Sequence, residues 1–228
     1  MRYPAAVFDL FGTLIDNFTH SSLAQSLYSM AEALGAPAEA FRRAWLDTYE
    51  PRNRGAYAST EENVRDVCRL IGLSPTRDGL ARATALRLAY TRSYLVPRGD
   101  TVATLAALKD SGRKLALVSD CSIEVPGLWP ETQFAPWFDA TVFSCLMKAK
   151  KPEPVMYLTA CERLSVAPED CLYCGDGSSR ELSGAAAVGM HPVLIRAPHE
   201  DHPDSFRPHE EPFAGPTIQT LAELLSLL

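Results

Sequence analysis

Apolar positions along the chain follow two spacings, and the change from one to the other divides it. Residues 4–10, Pro-Ala-Ala-Val-Phe-Asp-Leu, are a short apolar run closed by Gly12-Thr13, the signature of a buried strand entering a turn. From about Ser21 to Leu95 the spacing is helical. Leu23, Leu27, Met30, Ala31 and Leu34 recur at three and four residues before the stop at Gly35, and Phe41, Trp45 and Tyr49 repeat at four. Thr60-Glu-Glu-Asn63 opens a further helix carrying Val64, Val67, Cys68 and Ile71, and Ser74-Pro75 starts a fourth. Between them, residues 49–57 break the pattern with two tyrosines and two arginines, as a loop would.

After Pro97-Arg98-Gly99 short strands and helices alternate. Strands are predicted at Lys114–Ser119, Asp139–Ser144, Cys171–Gly175 and His191–Ile195, and helices at Thr101–Ser111, Glu153–Leu164 and Glu181–Val188. A loose acidic loop spans Pro198–Pro216, and a C-terminal helix is expected at Ile218–Leu227. Four or five strands separated by helices predict an α/β fold with a doubly wound parallel sheet. Ligands of such sheets sit at the carboxyl ends of the strands. The helical block 16–97, inserted just past the first strand, is therefore expected to roof the site, leaving 1–15 and 98–228 as the core.

Composition narrows the possible partners. Twenty-two basic against 28 acidic residues give a net charge of −6, which speaks against nucleic acid or an anionic membrane as partner. No apolar run approaches the ~18 residues that span a bilayer. Met1 to Pro4 lead straight into the first strand, so the expectation is a cytoplasmic chain without a signal peptide. The six cysteines then read as reduced thiols. Cys171 and Cys174 form a Cys-x-x-Cys, but residues three apart on a strand face opposite sides and cannot share a metal.

Polar clusters fall at the predicted strand ends: Asp9 with Thr13, Ser119 with Asp120, and Gly175 with Asp176, while Lys151 precedes Pro152 at a helix start. Any one of these could simply cap a turn. Together, at successive strand ends, they point to one site. Two aspartates brought side by side repel unless a cation lies between them, and oxygen ligands with water suit Mg²⁺. Glu181, one helical turn past Asp176, could join the same site through water.

These residues carry a resemblance. Phe8-Asp9-Leu10-Phe11-Gly12-Thr13-Leu14, Val118-Ser119-Asp120, Lys151-Pro152-Glu153-Pro154, and Gly175-Asp176-Gly177 with Glu181 resemble, in order, the four motifs of the haloacid dehalogenase-like (HAD) hydrolase superfamily. The resemblance covers residues 6 to 196 and implies a Rossmann-like core with an α-helical cap formed by the insert. It further implies that Asp9 is the nucleophile, that Ser119 hydrogen-bonds the transferring group, and that Lys151 neutralises charge and orients Asp9. Mg²⁺ would be held by Asp9, the main-chain carbonyl of Phe11 and Asp176, with Glu181 standing where an aspartate is commoner. The expected substrate is a small anionic molecule, contacted by Phe11, Gly12, Thr13 and Asp120 and by Arg52 and Arg54 of the insert. A monomer or homodimer is expected.

Phe11 departs from the pattern. Phosphatases of the superfamily carry at that position an aspartate that protonates the leaving alcohol. Dehalogenases carry an aromatic residue there, because a halide needs no proton, but they lack the acidic metal motif. Three readings stay open: a Mg²⁺-dependent phosphatase slowed by Phe11, a 2-haloacid dehalogenase, and a binding protein that keeps the pocket without turnover. Asp16 and Asn17, where the chain leaves the sheet, are hinge or substrate candidates. His199, His202 and His209 lie in the acidic loop without the tight spacing of a metal site.

Overall fold

The computed structural model describes residues 3–227; Met1, Arg2 and Leu228, at the outer ends of the expected core segments, lie outside it. Strand β1 (Ala5–Phe8) leads into five helices: α1 (His20–Leu34), α2 (Ala38–Asp47), α3 (Tyr49–Asn53), α4 (Thr60–Leu70) and α5 (Arg77–Tyr94). Local chemistry sets their limits. Thr19, Ser59 and Thr76 accept backbone N–H groups at the starts of α1, α4 and α5, and Gly35 ends α1 in the left-handed conformation. Next come α6 (Thr101–Asp110), β2 (Lys114–Ser119), α7 (Glu124–Leu128), β3 (Ala140–Phe143), α8 (Ser144–Met147), α9 (Pro154–Leu164), β4 (Cys171–Gly175), α10 (Glu181–Ala187), β5 (His191–Ile195) and β6 (Thr217–Ile218). No helix among the described residues is long and apolar enough to cross a membrane.

All six strands run parallel in the order β3-β2-β1-β4-β5-β6. The chain winds outward from β1 on one side and from β4 on the other, so the topological switch falls between these two neighbours. Crevices form at such points, outside the carboxyl ends of the strands. Alternate strand residues feed two cores. Phe8, Leu117, Leu172 and Cys174 pack on one face with α6 and α7; Val7, Val118, Cys171 and Tyr173 pack on the other with α9 and α10. Cys171 and Cys174 thus face opposite sides, and all six cysteines are free and buried. A third cluster, centred on Leu27, Met30, Phe41, Trp45, Val64 and Val67, lies wholly within α1, α2, α4 and α5.

Three expectations need correction. Residues 49–53 are a short helix, with the loop confined to the residues after it. The C-terminal helix is replaced by β6, whose β-branched Thr217 and Ile218 pair with Leu194 and Ile195, and then by a 3₁₀ turn at Leu221–Ser226 restarted by a capping box at Thr220. The 198–216 loop is stitched down rather than loose. Thr19 and Ser205 form an antiparallel bridge, His20 N–H donates to the Asp204 carbonyl at 2.8 Å, and Phe206 N–H donates to the Phe18 carbonyl at 2.8 Å.

Candidate active site

Asp9 follows β1 directly, and its N–H donates to the Cys174 carbonyl at 2.9 Å, which brings it level with the end of β4. The turn beyond it needs Gly12: at φ +76° a Cβ there would stand 2.4 Å from Asp176 Oδ2. The two aspartates are thereby held close. Lys151 Nζ donates to Asp9 Oδ1 at 2.5 Å and to Glu181 Oε2 at 2.5 Å, and Thr13 Oγ1 donates to Asp9 Oδ2 at 3.3 Å. Lys151 is itself positioned by its N–H, which donates to Asp120 Oδ1 at 3.0 Å.

Asp176 Oδ1 accepts from Ser178 N–H at 2.9 Å, and its Oδ2 accepts from Asn17 Nδ2 at 2.9 Å, with Arg207 Nε at 3.4 Å. Glu181 is more fully engaged. Besides Lys151 it accepts from the Tyr173 hydroxyl at 2.8 Å and from Gly177 N–H at 3.0 Å. It lies beside the carboxylates of Asp9 and Asp176 and also anchors Lys151.

Burial dominates the electrostatics. It pushes the Asp9 carboxyl up to about 6, Lys151 pulls it down, and Asp176 adds to the rise. Burial, and then Asp9, raise Glu181 well above the ordinary carboxylate range. Burial alone would lower Lys151, yet the carboxylates of Asp9 and Glu181 hold its ammonium charged well above its usual value. Asp9, Asp176 and Glu181 each offer an oxygen within 4.8 Å of the others. With Asp120 they make four carboxylates against the two cations Lys151 and Arg207. An all-oxygen donor set with surplus negative charge fits a hard divalent ion such as Mg²⁺.

Above these groups lies a cleft open to solvent, floored by Asp9, Phe11, Asp120 and Lys151 and roofed by Trp45, Arg52, Arg87 and Thr91 of the helical block. Phe18, Leu23, Tyr49, Val125 and Phe206 give it apolar walls. Ser119, Gly12, Thr13, Asp176 and Glu181 sit buried behind this lining, and the Ser119 hydroxyl and Asp120 Oδ2 have no hydrogen-bond partner. Arg52 reaches the cleft. Arg54 does not: it pairs with Glu153 at 2.7 Å on the surface, which corrects its expected substrate contact. His199 faces Asp16 at 2.9 Å, and no histidine joins the acidic trio among the described residues.

Arg87, Arg207 and Tyr173 escaped the sequence reading. Arg87 carried a signal, because it falls on the buried stripe Leu80–Ala83–Arg87–Thr91 of α5, where a charge has no reason to be unless it is used. Arg207 carried none, since only the fold returns its loop to Asp176.

The chain belongs to the haloacid dehalogenase-like hydrolases, whose family model matches residues 3–189. It is 28% identical to (S)-2-haloacid dehalogenase 1 of Pseudomonas sp. (strain CBS-3), over 98% of this chain and 96% of that protein. It is 31% identical to glyceraldehyde 3-phosphate phosphatase of Methanopyrus kandleri, over 57% of this chain and 56% of that protein. Its fold matches the crystal structure of a HAD phosphatase from Thermococcus onnurineus with a TM-score of 0.66 at 24% identity, covering 98% and 96% of the two chains. The relatives thus include both phosphatases and dehalogenases, and the chain is a hydrolase of the same family.

Proposed function

We propose that the protein hydrolyses a small phosphorylated metabolite through Asp9, with Mg²⁺ as cofactor. The observation that carries this reading is the buried trio Asp9–Asp176–Glu181 at the topological switch, whose negative charge Lys151 and Arg207 leave partly unbalanced. Asp9, the Phe11 carbonyl and Asp176 would hold the ion, and Glu181 would serve mainly to fix Lys151. Bound there, Mg²⁺ would offset charge on the phosphoryl oxygens. Asp9 Oδ attacks phosphorus, the bond to the leaving oxygen breaks, and water then cleaves the aspartyl phosphate to restore Asp9. Lys151 stabilises the charge that gathers on the transferring group, and the Ser119 hydroxyl, free of other partners, is available to it. Residues 16–97 act as a cap over this chemistry.

A second reading, 2-haloacid dehalogenation, is favoured by one feature: the half-buried Phe11 ring occupies the acid position and has no proton to give. Asp9 would then attack carbon and expel halide. The deciding experiment measures phosphate release from a panel of phosphate esters with and without Mg²⁺, and halide release from 2-haloacids in parallel. Mg²⁺-dependent phosphate release that Asp9→Asn abolishes is expected. Metal-independent halide release without phosphate release would replace the first reading by the second.

A further inference from the structure

The roof of the cleft holds a charge that the chemistry at Asp9 does not use. Arg52 of α3 and Arg87 of α5 both lie against the Trp45 ring, with guanidinium carbons 4.6 and 5.1 Å from its centre, and both are more than nine-tenths buried. Two like charges on one indole need a counter-charge. Glu124 supplies one, accepting from Arg87 Nε at 2.9 Å. Among the described residues no carboxylate pairs with Arg52, whose Nη1 instead donates to the Trp45 carbonyl and Thr48 Oγ1, each at 2.5 Å. Arg87 and Thr91, one turn further along α5, line the same cleft, and Arg87 Nη1 and the Thr91 hydroxyl have no hydrogen-bond partner. Buried donors are rarely left unpaired, and a buried unpaired charge is costlier still. Burial and the neighbouring Arg87 lower the Arg52 guanidinium to about 9, the behaviour of a cation short of its anion.

We propose that Arg52, Arg87 and Thr91 form a carboxylate-binding subsite that selects substrates bearing a carboxylate on the part of the molecule that does not react. Two arginines less Glu124 leave one positive charge, which a carboxylate monoanion balances and a phosphate dianion would over-fill. Planar guanidinium donors match a planar carboxylate. Phe11, Phe18, Leu23 and Val125 leave room between roof and floor for a short apolar body. The proposal rests on the reading of Asp9 and Lys151 as the reacting end, and it refines the substrate class to phosphorylated carboxylic acids.

The test has a turnover arm and a binding arm, both on the full chain. In the first, kcat/KM for phosphoglycolate is compared with that for ethyl phosphate, an ester of similar length without the carboxylate. Thr91→Val and Arg52→Met are each expected to lower the ratio of the two roughly tenfold, the worth of one hydrogen bond to a charged group. In the second, calorimetry follows propionate and its neutral counterpart propionamide, with no turnover and no metal; propionate alone should bind, and more weakly in both variants. Arg52→Met also removes hydrogen bonds within the cap, so its melting is followed. Thr91→Val deletes only a hydroxyl that bonds nothing in the fold, and it carries the test if Arg52→Met unfolds. Ester hydrolysis with an unaltered ratio, or equal binding of propionate and propionamide, overturns the subsite. Propionate binding that both variants weaken, in a protein that hydrolyses no ester, upholds the subsite and removes the reaction assigned to Asp9.

Discussion

Phe11 is the side chain at which the phosphatase and dehalogenase readings part. Its ring lies 4.8 Å from that of Phe18, which in turn stacks on Tyr90 and meets Tyr94. The ring is thus the first rung of an aromatic ladder rising from the core into α5, and no proton is available at this point of the site. Positioned acid–base catalysis contributes about 10²–10⁴ in rate, so under the phosphatase reading its absence would bear hardest on esters whose leaving oxygen is basic. Phe11→Asp is expected to raise kcat/KM for alkyl phosphates more than for aryl or acyl phosphates. It should also lower Tm, because aromatic contacts of this kind contribute about 0.5–1.5 kcal/mol beyond simple burial. Parallel kinetics on the three ester classes, with melting curves, check both effects. A folded variant without leaving-group-dependent gain would count against the phosphatase reading.

Among the elements, α5 and α7 are joined by the most deeply buried ion pair between helical block and core, Arg87 with Glu124, whose side chains are 7% and 1% exposed. Burial alone would raise Glu124, but Arg87 and a hydrogen bond from Ser122 outweigh it and hold its carboxyl below the usual range. A depressed carboxylate stabilises the fold at every pH above its unfolded value, and that contribution is lost as pH falls through the lower folded value. Glu124→Gln should therefore cost about 3 kcal/mol near neutrality, the low end for leaving a buried cation unpaired. The gap to the parent should close in acid, below the ordinary glutamate pKa. Denaturant titrations of both proteins between neutral pH and pH 3 measure it; a gap that stays constant would mean the pair does not carry the stability. The contact also marks what the sequence could reveal. Strands β1 to β5 and most helices were legible because their spacing reports burial within one element; Asp9, Asp120 and Asp176 stood out because they follow strands directly, and Lys151 because it precedes Pro152 ahead of a helix. Arg87 was half-legible, as a charge on an apolar stripe whose partner lies 37 residues away. The lashing of Asp204, Ser205 and Phe206 to Phe18 through His20 had no local signal, because each bond joins segments distant in sequence. Ile218 read as the start of a helix since an edge strand of two residues has no period to display.

At the scale of the whole molecule, the helical block has its own apolar cluster, joins the core through the segments near 16–19 and 95–98, and roofs the cleft over Asp9 and Lys151. Two kinds of contact hold it down. Close-fitting ones include Gly55, at φ +69°, where an added Cβ would stand 1.9 Å from the Cys145 carbonyl, and the buried Arg87–Glu124 pair. Peripheral ones are the exposed pairs Arg54–Glu153 and Arg92–Glu131, at 2.7 and 3.0 Å. Exposed pairs are worth about 0.5 kcal/mol each and are screened by salt, so losing both would shift an open–closed equilibrium about fivefold. Trp45 reports that equilibrium, being fully buried in the roof; with Trp129 and Trp137 replaced by phenylalanine it becomes the single indole. Acrylamide, which is neutral and so indifferent to ionic strength, should quench Trp45 more strongly as salt rises. An Arg54→Ala/Arg92→Ala protein should start at the high-salt level and respond little to salt. Propionate should protect Trp45 if it draws Arg52 and Arg87 together over a shared anion, for closure and binding are then the same event seen from two sides. Quenching that ignores salt, the double variant and propionate alike would mean that the roof stays fixed and that substrate enters by another route.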